Sequence, residues 1–334
     1  MQNKNQLIAV TGANGFIGSS LCNELEQRGY CVRRLVRSPT NSFENEYVVG
    51  EIDEDTDWTV SLDHVVTVVH CAARAHCLSP QDFSHNIYMK VNTLGTLRLA
   101  RQAAAKGVKR FIFLSSIKVN GDRTSWNNLF GGLKKNHPFS YLDTPNPQDA
   151  YGISKWEAEQ GLRLISSQTG MEVVIVRPPL VYGPGVSANF MRLIKLVSLG
   201  IPLPFRLIEN KRSFIGLFNL VDFIICCITN NAAVGHTFLV SDGQDISTPE
   251  LLTKISEALI NVKKNKRSQL ILLPVPEWSL RLIFYLFAQH SLSYRLIDSL
   301  QVDITHARVK LGWYPPKSMD EYLLEAVRSI SLKS

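Results

Sequence analysis

Hydrophobic positions along the first half of the chain alternate between two patterns. Short apolar runs such as Leu7–Val10 and Phe111–Leu114 lack helical spacing, which is typical of strands buried on both faces of a parallel sheet. Amphipathic stretches lie between such runs, and one of them carries Ile17, Leu21 and Leu25 on a single helical face. The alternation continues to about Arg177 and predicts an α/β fold with a doubly wound parallel sheet.

A smaller unit is expected to follow this sheet. The chain should leave the sheet at Pro178–Gly185, and a helix over Asn219–Asn230 and a strand over Thr237–Val240 should return to it. The rest predicts a mixed α/β C-terminal lobe, with the binding cleft between the two units. The predicted division is residues 1–177 plus about 215–242 for the sheet domain, and about 178–214 plus 243–334 for the smaller lobe.

A glycine-rich turn follows the first predicted strand. Gly12, Gly15 and Gly18 are spaced three residues apart, and a helix is expected to open near Gly15 with Phe16 and Ile17. Glycine lets the backbone approach a pyrophosphate, and the helix N-terminus supplies free N–H groups and a positive dipole end. A glycine triplet alone is also compatible with an ordinary strand–helix turn. Its position between strand and amphipathic helix favours a Rossmann-type dinucleotide site formed by these five residues.

The second predicted strand, Tyr30–Val36, bears on which dinucleotide is bound. NAD-binding units usually end this strand with an acid that holds the ribose 2′-hydroxyl, whereas here Val36 is followed by Arg37. A guanidinium suits a 2′-phosphate, so NADP(H) is the predicted cofactor, with NAD(H) as the alternative. A solvated basic strand end would explain Arg37 equally simply. Glu51 and Ile52 are expected to border the adenine.

Tyr151 and Lys155 form a candidate proton-transfer pair. A helix is predicted over Ala150–Thr169, with Asp149 as N-cap, which places the two side chains on one face. A free tyrosine has a pKa near 10, and a neighbouring cation should lower it. Tyr151 would then exchange a proton with a substrate hydroxyl, while Lys155 would also bind the nicotinamide ribose. Taken alone, this spacing is equally typical of a solvated helix pair.

Two hydroxyls lie where a third catalytic group is needed. The predicted strand that begins at Phe111 ends in Ser115 and Ser116. Parallel sheets place ligands beyond the carboxyl ends of their strands, so these serines could hydrogen-bond the reacting oxygen or simply cap a turn. Serine, tyrosine, lysine and the glycine turn together are far more specific than any one of them.

Together these segments resemble the extended short-chain dehydrogenase/reductase family of nucleotide-sugar epimerases, dehydratases and reductases. The similarity covers nearly the whole chain and rests on T-G-A-N-G-F-I-G at 11–18, V-V-H-C-A-A at 68–73, S-S-I-K-V-N-G at 115–121, Y-G-I-S-K at 151–155, R-P-P-L-V-Y-G-P-G at 177–185 and R-S-F at 212–214. The resemblance implies catalytic roles for Ser116, Tyr151 and Lys155. It also implies cofactor contacts at Ala72, Ala73 and Pro178, diphosphate contacts at Arg212 and Asn189, and a structural role for Asn92.

Departures from the family pattern reduce the number of reactions that the resemblance allows. Family dehydratases carry an Asp-Glu pair where this chain has Ile117 and Lys118, so the resemblance argues against dehydration. Lys118 is either a cation near the substrate's keto oxygen or diphosphate, or a surface lysine. Val36–Arg37 also departs from the epimerases of the family, which tend to keep an acid there, and Leu180 replaces a usual asparagine.

A bacterial subgroup associated with surface-polysaccharide synthesis offers the most similar motifs. That resemblance implies an NADP(H)-preferring enzyme that reduces the C4 keto group of a UDP-4-keto-6-deoxy-N-acetylhexosamine, giving UDP-N-acetylquinovosamine for O-antigen or capsule. One alternative is a 4-epimerase of UDP-glucose or UDP-N-acetylglucosamine with tightly bound NAD. A second alternative is a non-enzymatic regulator that senses the cofactor.

Composition and charge set the remaining expectations. The 334 residues carry a net charge of +7, which suits an anionic UDP-sugar substrate. The basic run at 263–267 has no aromatic partners and predicts a solvated loop rather than a nucleic-acid site. Leu270–Ala288 is apolar, but its prolines and charges argue against membrane insertion.

The cellular compartment is predicted from the N-terminus and the cysteines. Met1–Gln6 is polar and leads directly into a strand, so no signal peptide is expected. The six cysteines show no metal-binding spacing and are typical of reduced thiols. A cytoplasmic protein without a metal is therefore predicted, and the family resemblance is compatible with a homodimer.

Overall fold

The computed structural model describes residues 6–39, 45–74, 85–127, 133–135, 137–185, 189–263, 270–287 and 290–331. Its strands are β1 (Leu7–Thr11), β2 (Cys31–Val36), β3 (Glu46–Val48), β4 (Val65–His70), β5 (Arg110–Leu114), β6 (Ser125–Asn127), β7 (Leu133–Lys135), β8 (Glu172–Arg177), β9 (Leu180–Tyr182), β10 (Arg212–Gly216), β11 (Thr237–Leu239) and β12 (Asp245–Ile246). Its α-helices are α1 (Phe16–Gln27), α2 (His85–Tyr88), α3 (Thr96–Ala105), α4 (Ala150–Thr169), α5 (Asn189–Ser198), α6 (Leu217–Thr229), α7 (Thr248–Lys263), α8 (Glu277–Leu286), α9 (His290–Leu296), α10 (Thr305–Leu311) and α11 (Met319–Ser331).

Seven of these strands form one sheet in the order β3-β2-β1-β4-β5-β8-β11. All neighbouring strands in it are parallel. The strand order reverses between β1 and β4, where the carboxyl ends open a crevice for a ligand. The predicted Rossmann-type, doubly wound parallel sheet is confirmed.

Helices cover both faces of the sheet because successive strand residues point to opposite sides. In β1, Val10 lies in the apolar core under α1 and α6, whereas Ala9 lies in the core under α3 and α4. Helical spacing supplies the other half of each core, for example Leu21 and Leu25 of α1 on one face and Leu162 of α4 on the other. The sheet whose edge carries the candidate site is therefore packed against helices on both faces.

A smaller unit contains the mixed sheet β12-β10-β9, in which β10 runs parallel to β9 and antiparallel to β12. Helices α5, α7 and α11 pack around a separate core that includes Phe190, Leu252, Ile255 and Leu323. This mixed α/β lobe agrees with the predicted fold class. The residue boundaries of the two domains stay a prediction.

Candidate active site

The glycine turn after β1 is shaped by close backbone contacts. Gly12 has a φ of +64°, and a Cβ at this position would lie 3.0 Å from the Ala72 backbone. A Cβ on Gly18 would collide with the Gly12 carbonyl oxygen, and one on Gly15 would lie 3.1 Å from the same atom. Helix α1 then starts at Phe16 without a side-chain cap or an acidic residue in its first turn. A narrow turn and an uncapped helix N-terminus fit the pyrophosphate of a dinucleotide.

Arg37 and Glu51 meet at the end of β2. The guanidinium and the carboxylate are 3.5 Å apart, and their side chains are 67% and 74% exposed. Ile52 is half-buried beside Gly95. A 2′-phosphate near Arg37 would therefore also meet the negative charge of Glu51, which weakens the argument for NADP(H) drawn from Arg37 alone.

Three further residues expected at the cofactor follow β4 and β8. The backbone N–H of Ala72 donates to Thr11 Oγ1 over 3.2 Å, and Ala73 is exposed. Pro178 is buried, and its carbonyl accepts a hydrogen bond from the Ile117 N–H over 3.0 Å. The carboxyl ends of β1, β4 and β8 thus place these residues along the edge that also carries Ser116.

Ser116 and Tyr151 are brought together as expected. Ser116 follows β5 and caps a short 3₁₀ turn, while Tyr151 lies in the first turn of α4. The Ser116 hydroxyl is close enough to Tyr151 to lower the pKa of the phenol. Helix α4 has the predicted bounds, because the Asp149 carboxylate accepts from the Gly152 N–H over 2.7 Å and Gly170 ends the helix in the left-handed conformation.

Lys155 acts differently from the expectation that it would lower the pKa of Tyr151. Burial raises the pKa of Tyr151 to about 12, and the nearby Ser116 hydroxyl offsets only part of this effect. The Lys155 ammonium donates instead to the Leu114 carbonyl oxygen over 2.8 Å and lies 4.5 Å from the centre of the Phe113 ring. Burial lowers the pKa of Lys155 to about 7. Burial alone therefore favours the neutral phenol of Tyr151, and a nearby positive charge would be needed to stabilise its phenolate.

Lys118 is neither an isolated cation facing the substrate nor a free surface lysine. Its ammonium lies 3.1 Å from Asp122 Oδ1 and also pairs with the Asp149 carboxylate. Because Asp149 caps α4, Lys118 ties the turn after Ser116 to the helix that carries Tyr151.

Arg212 and Asn189 are placed in the smaller lobe. The Arg212 guanidinium donates to the carbonyl oxygens of Tyr294 and Asp298 over 3.0 and 2.8 Å, and burial lowers its pKa to about 10. The Asp298 carboxylate is itself buried between Arg281 and Arg123, at 2.6 and 3.2 Å. Asn189 begins α5, and its side chain is outside the described set.

Sequence reasoning missed a buried ionic network behind the site. Glu159 is fully buried, pairs with Arg177 at 2.5 Å and accepts from Ser115 Oγ over 2.5 Å. Its position four residues after Lys155 on α4 is a signal that helical spacing would have provided. Asn92 lies buried in a π-helical turn, where its amide donates to Ser154 Oγ over 3.1 Å.

Within the described residues, the cysteines form no disulfide bond. Cys22, Cys31, Cys71, Cys226 and Cys227 are free thiols, and Cys77 lies outside the described residues. Across the described ranges, no group of three or more histidine, cysteine or acidic side chains is arranged to hold a metal ion. Most of the basic run at 263–267 also lies outside them.

The fold and this arrangement define a dinucleotide-binding protein of the short-chain dehydrogenase type. Residues 8–241 match the NAD dependent epimerase/dehydratase family, and the chain belongs to that family. The predicted family resemblance is thereby confirmed.

Individual relatives support the same assignment. The chain is 44% identical over 318 residues to a UDP-glucose 4-epimerase of Vibrio cholerae, which covers 94% of this chain and 92% of that protein. It is 27% identical over 278 residues to an N-acetyl-alpha-D-glucosaminyl-diphospho-ditrans,octacis-undecaprenol 4-epimerase of Escherichia coli O157:H7, covering 81% and 76% of the two chains. The crystal structure of a Thermotoga maritima UDP-glucose 4-epimerase with UDP-glucose has the same fold, with a TM-score of 0.74 at 23% identity over 98% of this chain and 99% of that one.

Proposed function

We propose that this protein is a UDP-hexose 4-epimerase that works with a retained NAD. The observation that carries the proposal is the 44% identity, over 94% of the chain, to the UDP-glucose 4-epimerase of Vibrio cholerae. The proposal replaces the 4-keto reductase as the first candidate. Such an enzyme would act in the cytoplasm on a UDP-sugar, and its product would serve surface-polysaccharide synthesis.

The proposed cofactor site uses the residues already placed along the sheet edge. The turn from Gly12 to Gly18 would hold the pyrophosphate, since α1 starts there without a side-chain cap and the glycines leave no room for a Cβ. Glu51 and Ile52 would border the adenosine, and Ala72, Ala73 and Pro178 would border the nicotinamide. When bound, the dinucleotide supplies reversible hydride transfer at the sugar C4.

The proposed proton transfer takes place between Tyr151 Oη and the sugar O4. The positive charge of an oxidised nicotinamide would favour the Tyr151 phenolate, which accepts the O4 proton when C4 is oxidised. The resulting phenol returns that proton when C4 is reduced on the other face, so the product differs from the substrate only in configuration. Ser116 Oγ, which lies near the Tyr151 phenol, would orient the same oxygen. Lys155 would support Tyr151 and the nicotinamide ribose, and Arg212 with Asn189 would bind the diphosphate.

A second candidate is the NADPH-dependent 4-keto reductase. Arg37 favours it, because an arginine stands where NAD-binding units usually carry an acid. The same Ser116 and Tyr151 would serve this reaction, with Tyr151 donating its proton to the keto oxygen. A third possibility, a cofactor-sensing regulator, would not need Tyr151 as a proton donor.

Identification of the nucleotide released from freshly purified protein separates the candidates. We expect near-stoichiometric NAD, and interconversion of UDP-glucose and UDP-galactose without added cofactor or net change in nicotinamide absorbance. An empty site, with NADPH consumed as a UDP-4-keto-6-deoxy-N-acetylhexosamine disappears, would assign the reductase. Retained NAD with neither reaction, in wild type and in a Tyr151→Phe variant alike, would favour the regulator.

A further inference from the structure

The smaller lobe carries an exposed apolar surface that the proposed reaction does not use. We call it the apolar platform and define it by Ile271, Leu273, Trp278, Leu282, Tyr285 and Leu286, all of which are exposed. Trp278 and Leu286 are 63% and 70% exposed, although side chains of this size are usually buried. Contiguous exposed apolar patches of this kind mark an interaction surface.

Helical spacing aligns the α8 part of the apolar platform. Trp278, Leu282, Tyr285 and Leu286 occupy positions i, i+4, i+7 and i+8, which lie on one side of a helix. Leu280 of the same helix is buried in the lobe's core. Helix α8 is therefore anchored by one side, while an apolar stripe faces outward.

Residues 271–273, which precede α8, have an extended backbone and add two exposed side chains to the platform. The Leu203 N–H donates to the Ile271 carbonyl over 2.9 Å, and the Leu273 N–H donates to the Leu203 carbonyl over 2.8 Å. Leu272 packs into the core, so Ile271 and Leu273, its neighbours, point outward.

Positive charge is concentrated around this surface. In the described residues 189–212 and 270–296, five basic side chains are exposed: Arg192, Lys195, Arg206, Lys211 and Arg295. Fewer carboxylates oppose them: Glu209 is exposed and Glu277 is half-buried in the same ranges, and Glu257 of α7 lies beside Arg206. Arg206 is exposed beside the platform, since its N–H donates to the Leu273 carbonyl over 3.2 Å, and Lys195 is exposed at the end of α5.

We propose that the apolar platform docks onto the surface of a bilayer that contains anionic lipids. Tryptophan and tyrosine beside leucine, flanked by lysine and arginine, are the side chains that favour the interface between headgroups and acyl chains. Within the described residues, no helix has the length and apolar character needed to cross a bilayer, so α8 would lie on the surface. A second copy of the chain fits less well, because two-fold symmetry would bring two positive surfaces together.

Vesicle co-sedimentation of the full chain tests this proposal. We expect binding to phosphatidylcholine vesicles that contain phosphatidylglycerol, with little binding to phosphatidylcholine alone and weaker binding when salt rises from about 0.1 M to about 0.5 M. Replacing both Trp278 and Leu286 by glutamine should weaken binding at least about tenfold, because two large apolar side chains no longer leave water. The matched control is Leu164→Gln, which alters an exposed leucine of α4 in the sheet domain and should bind as wild type does.

Several results would overturn the proposal. Wild type that binds neither vesicle, or a double variant that binds as tightly as wild type, would exclude the platform as a membrane contact. Equal, salt-insensitive binding to both vesicles would contradict the role of positive charge. A wild-type dimer that dissociates in the double variant, without vesicle binding by either, would assign the platform to contact between copies. Turnover of soluble UDP-sugar should be the same in the double variant and wild type, which shows that the fold is intact.

Discussion

The cofactor end and the sugar end of the candidate site are constructed differently. At the cofactor end, α1 starts at the glycine turn without a side-chain cap and without an acidic residue in its first turn. At the sugar end, Lys118 and Arg212 already hold partners within the protein, two carboxylates in one case and two carbonyl oxygens in the other. A dinucleotide can therefore bind at a helix N-terminus that no side chain occupies, whereas a sugar diphosphate must join or displace existing contacts.

The largest effect on activity is expected at Tyr151, where the cofactor end and the sugar end of the candidate site meet. Tyr151→Phe should lower kcat for epimerisation by about 10² to 10⁴, since it removes the proton donor but leaves the ring against Tyr88. KM and the amount of retained nucleotide should change little, because the glycine turn is untouched. Kinetics with UDP-glucose and quantification of released nucleotide measure both quantities.

The matched control for Tyr151 is Tyr314→Phe, which removes an exposed hydroxyl and should behave as wild type does. Full activity in Tyr151→Phe would remove Tyr151 from the proposed reaction. An equal loss in both variants would point to a general effect on folding.

The sheet domain and the smaller lobe each contain a buried carboxylate paired with arginine, so the contribution of each pair to the free energy of unfolding can be compared. Glu159 pairs with Arg177 in the sheet domain, and Asp298 pairs with Arg281 and Arg123 in the smaller lobe. Glu159→Ala should lower the free energy of unfolding by about 3 to 5 kcal/mol, because the buried Arg177 loses its carboxylate partner. Asp298→Ala should lower it by less, because Arg281 keeps its ion pair with Glu277. Urea unfolding measures the change, and Asp320→Ala, which removes an exposed partner of Lys254, should cost about 0.5 kcal/mol or less.

The kinetic constants KM and kcat distinguish the roles of Asp298 and Glu159. Asp298→Ala should raise KM for the UDP-sugar, because loss of the ion pairs with Arg281 and Arg123 releases the backbone segment whose carbonyl holds Arg212. Glu159→Ala should act on kcat through Ser115, the neighbour of Ser116. If both variants changed KM and kcat in the same way, the smaller lobe would not be specialised for substrate binding, nor the sheet domain for the chemical step.

The parts of the site that follow from short stretches of sequence were predictable. Asp149 and Gly170 mark both ends of α4, because a cap and a left-handed terminus depend on local backbone. The glycine turn and the start of α1 follow from the same kind of local signal. Partners distant in the chain were not predictable, and Asp298, which supports Arg212, is the clearest case. The Lys155 contact with the Leu114 carbonyl likewise depends on how deeply α4 packs against β5.

Acid should destabilise the protein through His70 at the end of β4. The His70 ring is fully buried between Thr11 and Thr96, whose hydroxyls lie 2.7 and 2.9 Å from its nitrogens, and burial lowers its pKa from 6.5 to about 3. The unfolded chain therefore binds a proton that the folded chain does not, so stability falls as pH drops through this window. For this one group the slope approaches about 1.4 kcal/mol per pH unit.

Urea unfolding at a series of pH values between about 3 and about 6.5 measures the contribution of His70. His70→Asn should flatten the slope by about one proton, whatever its effect on stability at neutral pH. His64→Asn alters an exposed histidine and should leave the slope unchanged. An unaltered slope in His70→Asn would mean that another buried group causes the acid sensitivity.

The smallest effect is expected at Arg37, which lies at the cofactor end of the site. If the protein retains NAD, Arg37→Ser removes only an exposed ion pair with Glu51, and NAD retention should change by no more than about threefold. If NADPH is the true cofactor, the same variant should lose about tenfold or more in NADPH affinity, with NADH affinity unchanged, because the guanidinium would bind the 2′-phosphate. Glu51→Gln is the matched variant: it should improve NADPH binding by removing a competing negative charge. Fluorescence titration of both cofactors against both variants therefore separates an arginine that binds a phosphate from one that only neutralises Glu51.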